Sequence, residues 1–447
     1  MSKQDRSIVV VGAGVAGLAA ARDLSAAGVP VVLVEARERI GGRVYTHLDE
    51  ASPVPLELGA EFIHGKPPEL LAVVEAAHLL FCDVTDRHWY FKNGALSKSA
   101  DFWHTLNQLM DQMKSNAPDM SFADFLKTMP DDPETRRAKA VAAQYVRGFH
   151  AARTERIGVH SLIRANEAED EIDGNHSFRI LSGYSAVADG LLSEATKQGA
   201  QVQLNTVVQE VRWSRHNVEL VCLNDGRTST FRASGVVITL PLGVLQAAPD
   251  QHGAVRFLPN LPVEKETAIS SLEMGEVIKL NLRFRTRFWE TLELPKADES
   301  LQGLGFLHYP EAALPTWWTL LPVRAPVIVG WVGGPDAEPL LQRGQEFIIK
   351  QGIASLSRVF GITERSIANQ LEAAYFHDWS SDSYSRGGYS YVPVNGLLVQ
   401  EALAKPLQDT LFFAGEATSQ GHFGTVHGAL ISGQRAATEI LKSKSEK

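Results

Sequence analysis

At 447 residues, with 44% hydrophobic and 21% charged positions, the chain has length for about three domains and the composition of a globular protein, which excludes a disordered or fibrous one. Its 43 Lys and Arg against 52 Asp and Glu leave a net charge of −9, which repels phosphate backbones, argues against nucleic acid as a partner and suits a small cationic molecule. Two cysteines, Cys82 and Cys222, cannot build a disulfide framework and point to a reducing, cytoplasmic location.

Lys3 and Arg6 followed by an apolar run ending in Ala19-Ala20-Ala21 have the outline of a signal peptide. Glycines at 12, 14 and 17 interrupt that run, and the apolar segment Val31-Val32-Leu33-Val34 follows it, so a strand at 8–11, a helix at 15–27 and a second strand are expected instead. This is the opening βαβ unit of an α/β protein with a parallel sheet. Residues 67–148 read as mostly helical, with breaks at Pro118, Pro130 and Pro133. An acidic stretch (Glu167, Glu169, Asp170, Glu171, Asp173) precedes Gly183-Tyr184 and a helix to Gln198. From 202 to 240 short β-rich runs alternate, with a hairpin at Asn224-Asp225-Gly226. A strand at 277–284, two strands within 317–331, a late strand at 411–414 and a closing helix at 426–441 complete the outline. No apolar run is long enough for a membrane, and the chain ends polar, so no membrane partner is expected.

Gly12-Ala13-Gly14-Val15-Ala16-Gly17 is a G-x-G-x-x-G set between strand and helix. The first glycine turns the chain, the second lets backbone amides approach a pyrophosphate, and the third lets helix and strand pack closely. The helix then offers its positive end to the phosphates. Glu35, at the end of the second strand, is placed to accept ribose hydroxyls. Arg37 and Arg39 hint at the additional phosphate of NADP, although solvated surface arginines are the commoner case. Ile40-Gly41-Gly42-Arg43 adds a glycine pair and a cation that an NAD domain does not need but that fits the pyrophosphate of FAD. Phe413-Ala414-Gly415-Glu416 is a second strand-to-turn motif, with Glu416 directed to a ribityl chain.

These motifs, together with Leu58-Gly59-Ala60-Glu61-Phe62-Ile63-His64-Gly65 and the segments 275–289, 387–392 and 413–435, resemble the flavin-containing amine oxidase family over nearly the whole chain. That family includes monoamine oxidases, spermine and other polyamine oxidases, and the oxidase domain of lysine-specific demethylases; the motifs are closest to the spermine and polyamine oxidases. The resemblance implies a Rossmann-type FAD-binding domain built from 1–73, 183–250 and 380–447, and an α+β substrate-binding domain from 74–182 and 251–379. It places Gly12, Gly14, Ala16, Gly17, Glu35, Ala36, Arg37, Gly42, Arg43, Gly59, Ala60, Glu61, Phe62, Val208, Gly415, Glu416, Thr425 and Val426 around FAD.

Periodicity alone makes Lys279 a solvated lysine on the polar face of its strand, beside Asn281 and Arg283. The family motif, a lysine ahead of a Phe-Trp pair (here Phe288-Trp289), makes it the lysine that assists reoxidation of the flavin by oxygen. Tyr389 matches one wall of the family's aromatic cage, with an ordinary core tyrosine as the alternative; Tyr391 lies on the same strand face. Gly388 stands where monoamine oxidases carry their flavin-linking cysteine, so FAD is expected to be non-covalent. Thr425 replaces the second cage aromatic and suits a bulkier secondary amine, and Phe62 replaces the arginine that holds the carboxylate in amino-acid oxidases. His64 is either a substrate contact or a loop histidine satisfied by backbone. The acidic stretch is either an entrance that draws in polyamine cations or a solvated face, and Trp317 and Trp318 are expected in core or wall.

The resemblance thus implies FAD-dependent oxidation of a polyamine-like or other secondary amine, with oxygen as acceptor and hydrogen peroxide as product. The alternatives are an amino-acid or alkaloid-type oxidase or desaturase on the same scaffold, and a catalytically silent flavin-binding module. Histone demethylation is not expected, since no long coiled-coil insertion or additional N-terminal helical module is visible.

Overall fold

The computed structural model describes residues 7–98, 101–292 and 300–445. Lys3 and Arg6, and the last two residues of the polar terminus, lie outside them. The strands Ile8–Val11, Val31–Val34, Gln201–Gln203, Gly235–Ile238 and Leu411–Phe413 form one parallel sheet in the spatial order 201–203, 31–34, 8–11, 235–238, 411–413. The strands Ile8–Val11 and Gly235–Ile238 are buried at every position, which explains their unbroken apolar sequence: a central parallel strand has no wet face. The helix Val15–Ala26 connects the first two strands and packs on the helices Ser185–Lys197 and Val426–Ser445. Beside this sheet, Asn217–Asn224 and Arg227–Ala233 pair through a two-residue turn in which Asp225 and Gly226 both take positive φ, the geometry that favours Asp-Gly in tight hairpins.

A second, seven-stranded sheet runs in the order Leu371–Tyr375, Val277–Phe284, Val327–Gly333, Thr316–Thr319, Phe306–His308, His88–Lys92, Ala95–Lys98. Its last two strands correct the expectation of a mostly helical 67–148. The helices Pro68–Ala76, Phe122–Thr128 and Pro133–Phe149 are present, but His88–Lys92 joins the sheet by pairing parallel with Phe306–His308. That partner lies far away in the chain, so no local periodicity announces the strand.

The strand Val277–Phe284 overturns the reading of a solvated polar face: all eight of its residues are buried. Ile278, Leu280, Leu282 and Phe284 join the core that includes the helix Gln345–Phe360. The other face is covered by residues 46–62, where each polar side chain finds a partner. Asn281 donates to the Glu57 carbonyl at 3.0 Å, and Arg283 pairs with Asp49 at 2.7 Å. Buried polar groups persist only when bonded, and here a second layer of chain bonds them. Among the described residues no helix is long and apolar enough to cross a membrane.

Candidate active site

The strand Ile8–Val11 ends at Gly12, whose φ of +102° turns the chain into the helix at Val15–Ala26. A Cβ on Gly17 would stand 1.9 Å from the Gly12 carbonyl oxygen, so the third glycine is required by close packing of helix on turn. A Cβ on Gly14 would meet no protein atom within 4 Å; it points into open cavity, where a phosphate approaching the backbone fits. Glu35, 4% exposed, is fixed by the amides of Ala13 (2.8 Å) and Arg37 (2.9 Å), one to each carboxylate oxygen, and each oxygen keeps further acceptor capacity on the cavity wall. Arg37 is not a solvated surface arginine. Its guanidinium donates to both oxygens of Asp382 at 2.8 Å and to Ser385 at 3.0 Å. Arg39 lies over the Tyr45 ring at 3.9 Å and donates to the carbonyls of Ile40 and Gly42.

The two distant glycine–charge motifs meet in space. Arg43 donates to the Gly388 carbonyl and to Glu416, both at 2.8 Å, while Glu416 also accepts from the Ser390 hydroxyl at 2.6 Å and the Gly424 amide at 2.9 Å. Their charged ends therefore bond each other and tie the strand Tyr389–Tyr391 to the closing loop, while both residues line the cavity.

That cavity, about 740 Å³, is continuous. Every residue assigned to cofactor or substrate from the sequence lines it, with the single exception of Gly17, whose part is in packing. Tyr389 donates its hydroxyl to the Phe149 carbonyl at 2.5 Å and packs against the cluster of Ala151, Val277 and Trp379. Tyr391 does not share the site; it is 2% exposed in a separate core cluster. Trp317 is core and Trp318 is cavity wall. Phe62 faces Trp318, Phe306 and the His64 ring. His64 also meets Phe149 edge-on, and burial lowers its imidazole to about 4, so it is a neutral ring. Thr425 has a role that was not anticipated: its hydroxyl accepts from the Gly428 amide at 3.0 Å and donates to the His422 carbonyl at 2.7 Å, capping the helix Val426–Ser445. The acidic stretch divides, with Glu167 and Asp173 in surface ion pairs and Glu169 on the cavity wall.

Residues 15–441 match the family model described as flavin containing amine oxidoreductase. The chain belongs to the flavin-containing amine oxidoreductase family. Curated relatives include lysine-specific histone demethylase 2 of Homo sapiens (28% identical, 98% of this chain and 53% of that protein) and lysine-specific histone demethylase 1 homolog 3 of Arabidopsis thaliana (27%, 98% and 30%). The chain thus spans about half or less of the length of these relatives. Among solved structures, wild-type putrescine oxidase bound to putrescine shares the fold with a TM-score of 0.80 at 21% identity, over 98% of this chain and 99% of that one. Cyclohexylamine oxidase from Brevibacterium oxydans gives 0.79 at 20%, over the same shares. The amine oxidase fold expected from the motifs is the fold observed.

In this oxidoreductase Lys279 is 4% exposed; it donates to the Gly59 carbonyl at 3.1 Å and forms an ion pair with Glu61. Glu61, assigned from the motif to the cofactor, has its carboxylate engaged elsewhere: besides Lys279 it accepts from Arg179 at 2.6 Å and from the Trp318 indole at 3.1 Å. Burial pushes this carboxyl up, but Lys279 and Arg179 outweigh it and hold Glu61 down to about 2. Arg179 was missed, and Trp318 was expected only as core or wall, because both reach Glu61 from distant strands. Glu57 was missed too. Its carboxyl accepts from the Tyr184 amide (2.7 Å) and the Thr46 hydroxyl (2.8 Å), and burial, opposed by Lys279, raises it to about 7.

Proposed function

We propose that this oxidoreductase binds FAD without a covalent bond and oxidises a polyamine-like or other secondary amine to an imine, which water hydrolyses to an aldehyde and a smaller amine. The observation that carries the reading is the single cavity shared by the glycine turn, Glu35, Lys279, Tyr389 and Thr425. The strands of the parallel sheet all fall within 1–73, 183–250 and 380–447, and those of the seven-stranded sheet within 74–182 and 251–379, which supports a flavin-binding and a substrate-binding part with those limits. Gly12, Gly14 and the helix behind them would hold the pyrophosphate, Glu35 the ribose, and Arg43 with Glu416 the region between the two glycine turns. When bound there, FAD would supply a two-electron acceptor for the hydride lost from the substrate α-carbon, with oxygen as the expected final acceptor and hydrogen peroxide as the expected product.

The protein's part is position, desolvation and charge. An alkyl amine has an ordinary pKa of about 10, so its ammonium must lose a proton before the nitrogen lone pair can assist oxidation. The aromatic wall of Tyr389, Phe62 and Trp318 disfavours the charged form and promotes that loss. Tyr389, its hydroxyl anchored on Phe149, presents a ring face to the amine. Thr425 leaves room beside that ring and, as cap, holds the positive end of the helix Val426–Ser445 toward the cavity.

A Cβ on Gly388 would lie 2.6 Å from Val277 Cγ2, leaving no space for a flavin-linking side chain. Acid precipitation is therefore expected to leave the yellow chromophore in the supernatant; colour in the pellet would refute non-covalent binding. Thr425→Tyr is expected to penalise branched and long amines more than small ones, and to lower stability by about 1 kcal/mol through the lost cap. Thr425→Ser, which keeps the cap, separates the two effects when substrate profiles and melting temperatures are compared.

A second reading draws on the curated relatives: oxidation of an N-methylated lysine, also a secondary amine. A peroxide-release screen decides between them, using putrescine, spermidine, spermine, their acetyl forms, arylalkylamines, amino acids and a methyl-lysine peptide. Peroxide from the polyamine group is expected; release from the peptide alone favours the second reading, and release from none of them overturns both.

A further inference from the structure

The strands His88–Lys92 and Phe306–His308 pair in parallel, with Phe306 opposite His88 and His308 opposite Tyr90. Alternation along each strand sends Trp89 and Leu307 into the core and turns His88, Tyr90, Phe306 and His308 to the cavity. Their rings stack in one ladder: Phe306 on His88 at 5.0 Å, His88 on His308 at 5.1 Å, and His308 on Tyr90 at 4.7 Å. Within the ladder the His88 Nδ1 lies 2.8 Å from the His308 Nε2, and the His88 Nε2 lies 2.6 Å from a carboxylate oxygen of Asp86. The Asp86 side chain is 70% exposed and that of His88 only 11%, so a row of three hydrogen-bonded groups runs from the cavity wall to solvent. None of the three has a part in the reading above.

The order of protons in this row is fixed by its outer end. The bond from His88 holds the Asp86 carboxyl below the usual carboxylate range, so near neutral pH Asp86 only accepts. His88 therefore donates from Nε2 and accepts at Nδ1; His308 donates from Nε2 to that acceptor, and its own Nδ1 carries a lone pair. We infer that Asp86, His88 and His308 form a relay that carries the proton shed by a substrate ammonium from the cavity to solvent; this rests on the amine-oxidase reading above. The ammonium N–H bond breaks with its electron pair left on nitrogen, and the proton bonds the His308 Nδ1. The Nε2–H of His308 then breaks as Nδ1–H forms on His88, and the Nε2–H of His88 breaks as O–H forms on Asp86, which gives the proton to water. The proton consumed when oxygen is reduced to peroxide returns by the same groups and restores their starting tautomers.

The inner end of the row adjoins the aromatic wall of the amine site: the Phe306 ring lies 6.3 Å from that of Phe62 and 6.2 Å from that of Trp318. Burial, reinforced by His88, lowers the His308 imidazole to about 3, so it hands a proton on rather than storing it. From an ammonium of ordinary pKa about 10 this transfer is disfavoured about ten-millionfold. That still permits roughly half a million events per second, far above a typical turnover of about 10 per second. The other titratable or charged groups on the elements around the row are Tyr90, Arg87 and Lys98 on the paired strands and their lead-in, and Asp83, Glu169 and His176 on the cavity wall. Variants within the row leave all six in place.

The test follows anaerobic bleaching of the oxidised flavin by spermidine and by N-methylbutylamine at pH 7 and pH 10. His88→Phe keeps the ring stack and removes both nitrogens. Asp86→Asn, at an exposed position, still offers His88 an acceptor but cannot take up the proton. Both variants are expected to bleach about 10- to 100-fold more slowly than wild type at pH 7, the lower range of what a proton-transfer group contributes. At pH 10 they should come within about threefold of it, because about half of the amine then arrives without its proton. Imidazole in the buffer is expected to restore His88→Ala toward wild type and to leave His88→Phe unchanged, since only the smaller side chain makes room for it. A defect of equal size at the two pH values, no slowing at pH 7, or no rescue by imidazole overturns the relay. Failure of both amines to bleach the flavin of the wild type overturns the amine-oxidase reading and the relay with it.

Discussion

Replacing Lys279 by Met is expected to leave flavin bound and its anaerobic reduction by amine near the wild-type rate, while reoxidation by oxygen slows about 100-fold, the scale of removing one preorganised charged donor. The geometry adds a second consequence. Lys279 is one of three groups on the buried Glu61 carboxylate, with Arg179 and Trp318 as the others. Breaking a buried pair outright costs about 3–5 kcal/mol, but Arg179 stays in place, so a loss of about 1–3 kcal/mol is expected. The sign with pH follows from the depressed Glu61 value. Its stabilisation is fully present above the ordinary 4.5 and disappears as pH falls toward about 2, so the difference in melting temperature between variant and wild type should be largest near neutrality and shrink in acid. Stopped-flow reoxidation and a pH series of melting curves check both parts, and unchanged reoxidation would remove Lys279 from its assigned role.

The glycine turn yields a paired prediction of comparable size. Gly17→Ala drives a methyl to within 1.9 Å of the Gly12 carbonyl and 3.0 Å of the Thr239 hydroxyl, so strand and helix must move apart. A stability loss of about 1–3 kcal/mol and loss of flavin are expected together. Gly14→Ala places its methyl in open cavity, and its φ of −72° suits alanine. The flavin-free protein should therefore melt within about 0.5 kcal/mol of wild type. Flavin affinity should nonetheless fall about 10- to 100-fold, because the methyl occupies the approach to the backbone. Melting curves of the apoproteins and flavin titration by fluorescence separate the two positions. Equal destabilisation by both would contradict the assignment of one glycine to packing and the other to the ligand.

Local sequence carried the parts of this protein whose physics is local. The strand–glycine–helix opening, the Asp-Gly hairpin and the closing helix were legible because turn chemistry, apolar runs and positive-φ requirements act within a few residues, whereas the Thr425 cap was not. Period-two alternation misread Val277–Phe284, since it assigns the polar face of a strand to water. Here that face is covered by residues 46–62, and Lys279, Asn281 and Arg283 are each bonded across it. In the same way the Gly-Gly-Arg and Gly-Glu motifs were each assigned to the cofactor, yet nothing local indicated that Arg43 and Glu416 bond each other.

The sequence by itself determined the family and the glycine turn, and it picked out a part of the residues that line the cavity, because these are written in spacing and side-chain type. Only the tertiary structure decided which charges are spent and which way each one faces. Glu35, Glu61 and Glu416 are engaged by groups brought from other parts of the fold, whereas Glu169, one carboxylate in an otherwise surface-facing acidic run, is turned into the cavity by its place on the helix Val159–Glu171. Burial and partnership are properties of packing between distant segments, and they determine whether a carboxylate is paired, neutralised or solvated.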